Sequence, residues 1–248
     1  GNSPLRNNTT GGSNVALGYS ALYSNTTASN NTAVGYQAAY SNTSDNISAF
    51  GWKALYGNTS GEYNIALGNQ ALLSNTTGTK NTASGYQALV SNTTASNNTA
   101  VGYQASYASS TGASNTAVGW RALTSNTASN NTAVGYQAGY DNTTGTNLVL
   151  MGVDSGANNT TGQGNTFLGR ASGLLNTTGS YNCFVGQSAS SGYASGYLMT
   201  TGWRNTILGA YNGNQGGLDI RTSNNNIVLS DGDGNPRVFV NSSGHVGI

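Results

Sequence analysis

Charge is nearly missing from this chain. Only 6% of its 248 residues are charged, eight Lys and Arg against seven Asp and Glu, for a net charge of +1. Nucleic-acid binding needs a basic face, but Lys53, Arg121 and Arg170, which fall just after a repeated glycine, lie in separate repeats. No nucleic-acid partner is expected. His245 is the single histidine, which excludes a His-based triad or a multi-histidine metal site within one chain. Cys183 is the single cysteine, so no internal disulfide is available; its setting in Asn182-Cys183-Phe184-Val185 reads as a buried, inert strand thiol. No apolar run approaches the ~20 residues that a membrane-crossing helix requires, and no membrane insertion is expected. Gly1 does not open a signal-peptide pattern, which fits export by virion assembly or a leader already removed.

Catalytic carboxylate pairs are lacking too. Glu62, Asp154 and Asp219 have no partner at glycosidase-like spacing. Asp231 and Asp233 flank Gly232 without the remaining ligands of a calcium loop, so an ordinary turn is expected there. The chain is read as having no enzymatic activity, no catalytic or metal-binding residues and no cofactor.

What fills the chain instead is repetition. One glycine per unit marks the register: Gly18, Gly35, Gly51, Gly68, Gly85, Gly102, Gly119, Gly135, Gly152, Gly169, Gly186 and Gly209. Gly18 to Gly35 is 17 residues and Gly35 to Gly51 is 16, but Gly186 to Gly209 is 23. An insertion is therefore expected in 190–204. Low-complexity disorder has no reason to hold fixed offsets over most of its length. The period is too short for a helix pair or a leucine-rich repeat, and it fits one coil of a β-solenoid. Thr32, Val34 and Tyr36 alternate with Ala33, Gly35 and Gln37, a strand signature. Ala38-Ala39 is expected to be a short second strand, and Ser41-Asn42-Thr43-Ser44 a turn.

Stacked coils turn sequence positions into columns. Leu17, Val34, Phe50, Leu67 and Val101, one step before the glycine, are expected to be the main core column. Tyr19, Tyr36, Trp52, Tyr86, Tyr103, Trp120 and Tyr136, one step after it, are expected to form an aromatic stack. Two steps before it stand alanines, from Ala16 to Ala133, and then Leu150, Phe167, Phe184 and Ile207, so the cross-section is expected to change near Leu150. Each unit offers ~3–5 kcal/mol of apolar burial against at least ~1 kcal/mol per residue of backbone ordering. Hydrogen-bond ladders, stacked Asn and other chains must make up the difference, and an oligomer is expected.

Asn30-Asn31-Thr32-Ala33-Val34-Gly35 and Asn97-Asn98-Thr99-Ala100-Val101-Gly102 resemble the Asn-Ser-Val-Ala-Ile-Gly signature of trimeric autotransporter adhesin heads. Similar arrays occur in tail-fibre-like and surface proteins of phages, large viruses and bacteria, often upstream of a self-cleaving intramolecular chaperone. The resemblance spans roughly Asn14 to Asn212 and implies a left-handed parallel β-roll joined as a homotrimer. The period is longer than the adhesin repeat, and neither coiled-coil heptads nor membrane-anchor strands follow. The last residues, Asn241 to Ile248, look like the strand leading into the chaperone, which is not in the chain; a processed product or a fragment is expected.

The expected fold is thus an all-β parallel solenoid of about twelve coils with period 16–17. A cap or linker is expected over 1–13, repeats over 14–212 and a β-hairpin segment over 213–248. The expected function is a structural subunit of an extracellular, cell-surface or virion fibre that attaches to a surface glycan or protein receptor. Receptor contacts are sought first at Tyr193, Tyr197 and Trp203 in the insertion. Asn25, Asn75, Asn92, Asn142 and Asn176 stand in Asn-Thr-Thr sequons in turns taken to be on the surface; glycosylation is the alternative to a turn-forming role. Two other functions compete, a filament joined end to end and a binding solenoid for ice or polysaccharide. The Thr pairs lie in turns and not on a flat strand face, which ranks the fibre first.

Overall fold

A computed structural model describes residues 3–187 and 194–247. Its strands fall into two compact units, Gly1–Ser129 and Asn130–Ile248, with no helix among the described residues. The first unit stacks seven three-residue strands: β1 (Val15–Leu17), β2 (Thr32–Val34), β3 (Ser48–Phe50), β4 (Ile65–Leu67), β5 (Thr82–Ser84), β6 (Thr99–Val101) and β7 (Thr116–Val118). Neighbours run parallel with column on column, Ala33 facing Ala49 and Ala49 facing Ala66. The second unit stacks five: β8 (Thr132–Val134), β9 (Val149–Met151), β10 (Thr166–Leu168), β11 (Cys183–Val185) and β12 (Thr206–Leu208). Seven coils and five make the expected twelve of a parallel β-solenoid.

The chain then forms a small antiparallel pair, β13 (Asn214–Gln215) and β14 (Leu218–Asp219), before β15 (Ile227–Ser230) adds a further parallel rung on β12. Strands β16 (Pro236–Val240) and β17 (Val246–Gly247) close the unit antiparallel, giving the expected hairpin. The β13–β14 pair was not foreseen; Gly216-Gly217 between its strands is the turn signal that marks it.

Each strand alternates, with its middle residue inward. Ala33, Ala49, Ala66, Ala83, Ala100 and Ala117 have no exposed surface, whereas Leu17 is 65% exposed and Phe50 and Leu67 are each 40% exposed. The expected core column is therefore the outer face, and the alanines are the core. With a period of two, a one-step misjudgement of parity moves every side chain to the other face. The inner wall opposite the alanines is Leu22, Leu55, Leu72, Leu89 and Leu123, four residues after the glycine and fully buried.

The glycine is dictated by its neighbour one coil on. Gly35 has φ +138°, and a Cβ there would lie 2.4 Å from the carbonyl oxygen of Gly51. After it, Gln37 (φ 53°) and Ala39 (φ 50°) are left-handed. This alternation bends the chain, so the second strand expected at Ala38-Ala39 is a turn. Its amides still ladder between coils: Gln37 N donates to Tyr19 O at 2.8 Å and Ala39 N to Ala54 O at 2.9 Å.

Two columns of buried asparagine replace apolar packing at the third corner. Asn75 Nδ2 donates to Asn58 Oδ1 at 2.7 Å, and Asn92 Nδ2 to Asn75 Oδ1 at 2.6 Å. In the other column Asn64 Oδ1 accepts from Asn81 N at 3.0 Å, and Asn81 Nδ2 donates to Ala95 O at 2.9 Å. A satisfied buried amide adds about 1 kcal/mol, and an orphaned one costs about 1–3 kcal/mol.

Candidate interaction surfaces

Three outward columns make the strand face of the first unit. Before the inward alanine stand Val15, Thr32, Ser48, Ile65, Thr82, Thr99 and Thr116. After it come Leu17, Val34, Phe50, Leu67 and Val101, and beyond the glycine the ring column. Ile65, Trp52, Tyr86 and Tyr103 are each about two-fifths exposed. The second unit continues the theme with Met151, Leu208, Ile227 and Leu229 exposed. Cys183 also points outward there and is half-buried, which corrects the expectation of a buried thiol; the inward residue of that strand is Phe184.

The expected aromatic stack is present in the first unit, and it has a companion. Tyr19, Tyr36 and Trp52 stack with centroids 5.2 and 6.4 Å apart. Tyr86, Tyr103 and Trp120 stack at 5.3 and 6.0 Å after a break at Asn69. A second row, Tyr23, Tyr40 and Tyr56, stacks at 5.0 and 5.2 Å. Between the rows runs a polar column in which Gln87 Nε2 donates to Gln70 Oε1 at 2.8 Å, Gln104 Nε2 to Gln87 Oε1 at 2.9 Å and Arg121 Nε to Gln104 Oε1 at 2.9 Å. Lys53 stands in this same column and bridges the rows, with Nζ 4.7 Å from the Trp52 ring centre and 5.4 Å from that of Tyr56. At the first coils the rows enclose a groove of about 210 Å³ lined by Arg6, Tyr19, Tyr23, Gln37 and Tyr40. The second row was missed in the sequence, although Tyr23, Tyr40 and Tyr56 recur five residues after the glycine.

The expected contact residues lie differently. Tyr193 is outside the described residues. Tyr197 and Trp203 sit on regular coil positions: Leu175 N bonds Tyr197 O at 3.1 Å and Arg204 N bonds Ser180 O at 2.9 Å, as in other coils. The extra residues therefore fall between Gln187 and Ala194, and 194–204 is ordinary coil. Trp203 is 37% exposed and carries the Arg204 guanidinium 4.1 Å from its ring centre.

The sequon asparagines are not on the surface. Asn25, Asn75, Asn92, Asn142 and Asn176 are fully buried. Asn75 Nδ2 spends its hydrogens on Asn58 Oδ1 and Gly78 O, and Asn25, Asn92 and Asn176 do the same with their own neighbours; Asn142 Nδ2 donates to Gly145 O at 3.0 Å. A glycan on Nδ2 is incompatible with the folded coil, and the side chains build turns from within.

Among the described residues no three His, Cys, Asp or Glu side chains gather, and no helix is long and apolar enough to cross a membrane. Asp231 closes its own turn: it accepts from Asp233 N and Asn235 N and pairs with Arg237. The Asn235 backbone amide holds its carboxyl down to about 2. The Arg221 side chain, 2.7 Å away, holds Asp219 low, whereas burial raises Asp154 despite nearby Arg170. Burial pushes the Tyr211 phenol up; its hydroxyl donates to Leu218 O at 2.8 Å. Comparison with family models, curated proteins and solved structures finds no match.

Proposed function

We propose that the chain is a structural subunit of an extracellular, cell-surface or virion fibre, a self-associating solenoid that mediates attachment. The observation that carries this reading is the strand face, where Leu17, Phe50, Leu67 and Val101 stand outward in one column on a core of alanine. A coil with so little inside and so much apolar surface outside gains by packing against further copies. The likeness of Asn-Asn-Thr-Ala-Val-Gly to adhesin-head and fibre repeats favours three copies. The test is size-exclusion chromatography with light scattering. A mass three times 25.2 kDa is expected, and Leu67→Asp with Val101→Asp should lower it. A monodisperse monomer sinks the fibre.

A binding solenoid for ice has an observation of its own. Besides the Thr pairs of the turns, Thr82, Thr99 and Thr116 stand in a row on the strand face. Ser48 and Ile65 interrupt that row, and Phe50 and Leu67 roughen the column beside it, which keeps the fibre first. Thermal hysteresis in a freezing assay would reverse the order.

A further inference from the structure

We infer that the groove between the two aromatic rows of the first unit, over its first three coils, is a binding site for an extended acidic glycan. The inference rests on the attachment reading and names the ligand chemistry of that attachment. The walls are Tyr19, Tyr36 and Trp52 on one side and Tyr23, Tyr40 and Tyr56 on the other. The floor is Ser20 and Gln37, and Lys53 stands next in the same column.

A cation stands at each end. Arg6 lies 5.9 Å from the centre of the Tyr23 ring, and Lys53 is cradled by Trp52 and Tyr56. The two are three coils apart, about 14 Å along the stack. The acidic residues of this unit are Asp45 and Glu62, which stand in a turn column away from the groove; Asp45 already accepts from Ser29 N at 2.7 Å. The groove therefore carries charge of one sign, with its cations resting on rings and not on carboxylates, and it complements an anion.

Ring geometry selects the kind of anion. The rings stack on one another along the coils with interplanar angles of 2–14°, so their faces are occupied. Bases of single-stranded nucleic acid bind by stacking on free aromatic faces, which this groove does not offer. An extended peptide binds by adding to an open strand edge, whereas coil amides beside this groove are bonded to neighbouring coils. What remains open is a row of ring edges and phenol hydroxyls at a step of 5.0–5.2 Å within the Tyr23 row, together with amide and cationic groups. A linear sugar polymer presents hydroxyls at a comparable repeat, and carboxylates on its sugars meet Arg6 and Lys53.

The test is calorimetric titration of the whole chain with an oligogalacturonide, its fully methyl-esterified form of equal length, and a single-stranded oligonucleotide. The acidic sugar is expected to bind, the ester to bind at least about tenfold more weakly, and added salt to weaken the acidic form alone. Arg6→Gln and Lys53→Gln should each weaken the acidic sugar by about tenfold, Lys53→Arg should retain it, and Arg170→Gln, in the second unit, should change nothing. Unaltered circular dichroism shows that each variant is folded. Equal binding of the ester, tighter binding of the oligonucleotide, or no binding of the acidic sugar overturns the site. Light scattering on the same sample reports association separately, so a monomer that binds the sugar, or a trimer that does not, tells the two ideas apart.

Discussion

The two units fill the same coil in opposite ways. In most coils of the first, the strand contributes Ala and the wall opposite contributes Leu, as in Ala66 with Leu72 and Ala83 with Leu89, all fully buried; Ala39 and Ser106 stand at the wall in the other two. In the second, after a first coil with Ala133 and Gly139, the strand contributes Leu150, Phe167 or Phe184, also fully buried, and the wall recedes to Gly156, Gly173 and Gly196. A Cβ on Gly173 would lie 2.5 Å from Phe167, and one on Gly196 2.3 Å from Phe184. A third column changes with them: the alanine before the wall residue becomes Ser155, Ser172 and Ser195, whose hydroxyls donate to Phe167 O, Phe184 O and Ile207 O at 3.0–3.2 Å. From Leu150 onward the inward side chain enlarges as the wall recedes, and no wider coil is needed. Volume moves from one wall to the other while the backbone ladder persists, in keeping with interiors packed at fixed density.

That contrast can be broken most severely by exchanging one coil. Phe167→Ala should cost about 4 kcal/mol through the cavity it leaves, and Gly173→Leu a similar amount by collision. The double variant rebuilds a first-unit coil, and its cost by denaturant unfolding should fall short of the sum by at least about 2 kcal/mol; strict additivity would refute the exchange. Next in size, Leu72→Ala in the first unit should cost about 3 kcal/mol, with melting of its coils detected by hydrogen exchange. The asparagine ladders sharpen the comparison at a smaller scale. Asn75→Ala leaves Asn58 Oδ1 without its donor and takes from Asn92 Nδ2 one of its two acceptors, and should cost about 2 kcal/mol. Asn176→Ala in the second unit, where the column ends at Met199, deprives only Asn159 Oδ1 of a side-chain partner and should cost about 1 kcal/mol. The smallest effect separates the units by pH. Asp231 has a folded value of about 2 against 3.8 unfolded. Its contribution is therefore complete above 3.8 and lost as pH falls toward 2. The protection of amides in β15 and β16, relative to free-peptide exchange at the same pH, should fall over that range, while Asp154, raised by burial, opposes the trend.

The solenoid, its twelve coils, the ring stack and the closing hairpin were legible because each follows from spacing. Inward and outward were not. Val34 is more apolar than Ala33, and a hydrophobicity ranking puts it inside; the pleat puts Ala33 there instead. The deciding signal was nevertheless present, since Ala66, Ala71 and Leu72 become Phe167, Ser172 and Gly173 together, and columns that exchange bulk in concert are columns in contact. Asn75 looked like a surface turn because Asn is usually exposed. Its burial depends on an amide one coil away, which no local pattern reports. The groove was half legible: the rings were visible, but Arg6 and Lys53 share it only because three coils bring positions 6 and 53 together.

The two coils that are one residue shorter are both adjusted at the same corner. Asn25 reaches the carbonyl three residues on, at Ala28, whereas Asn42 in a shorter coil reaches only two, to Ser44, and Asn126 does likewise with Ala128. A deletion is thus absorbed where the backbone is free to tighten, and the strands stay aligned. For a gene built of tandem copies, unequal recombination would then add or remove reach in whole coils, and small slips within a copy would be forgiven at that corner. Variation in length is the kind of inheritance this architecture tolerates most readily.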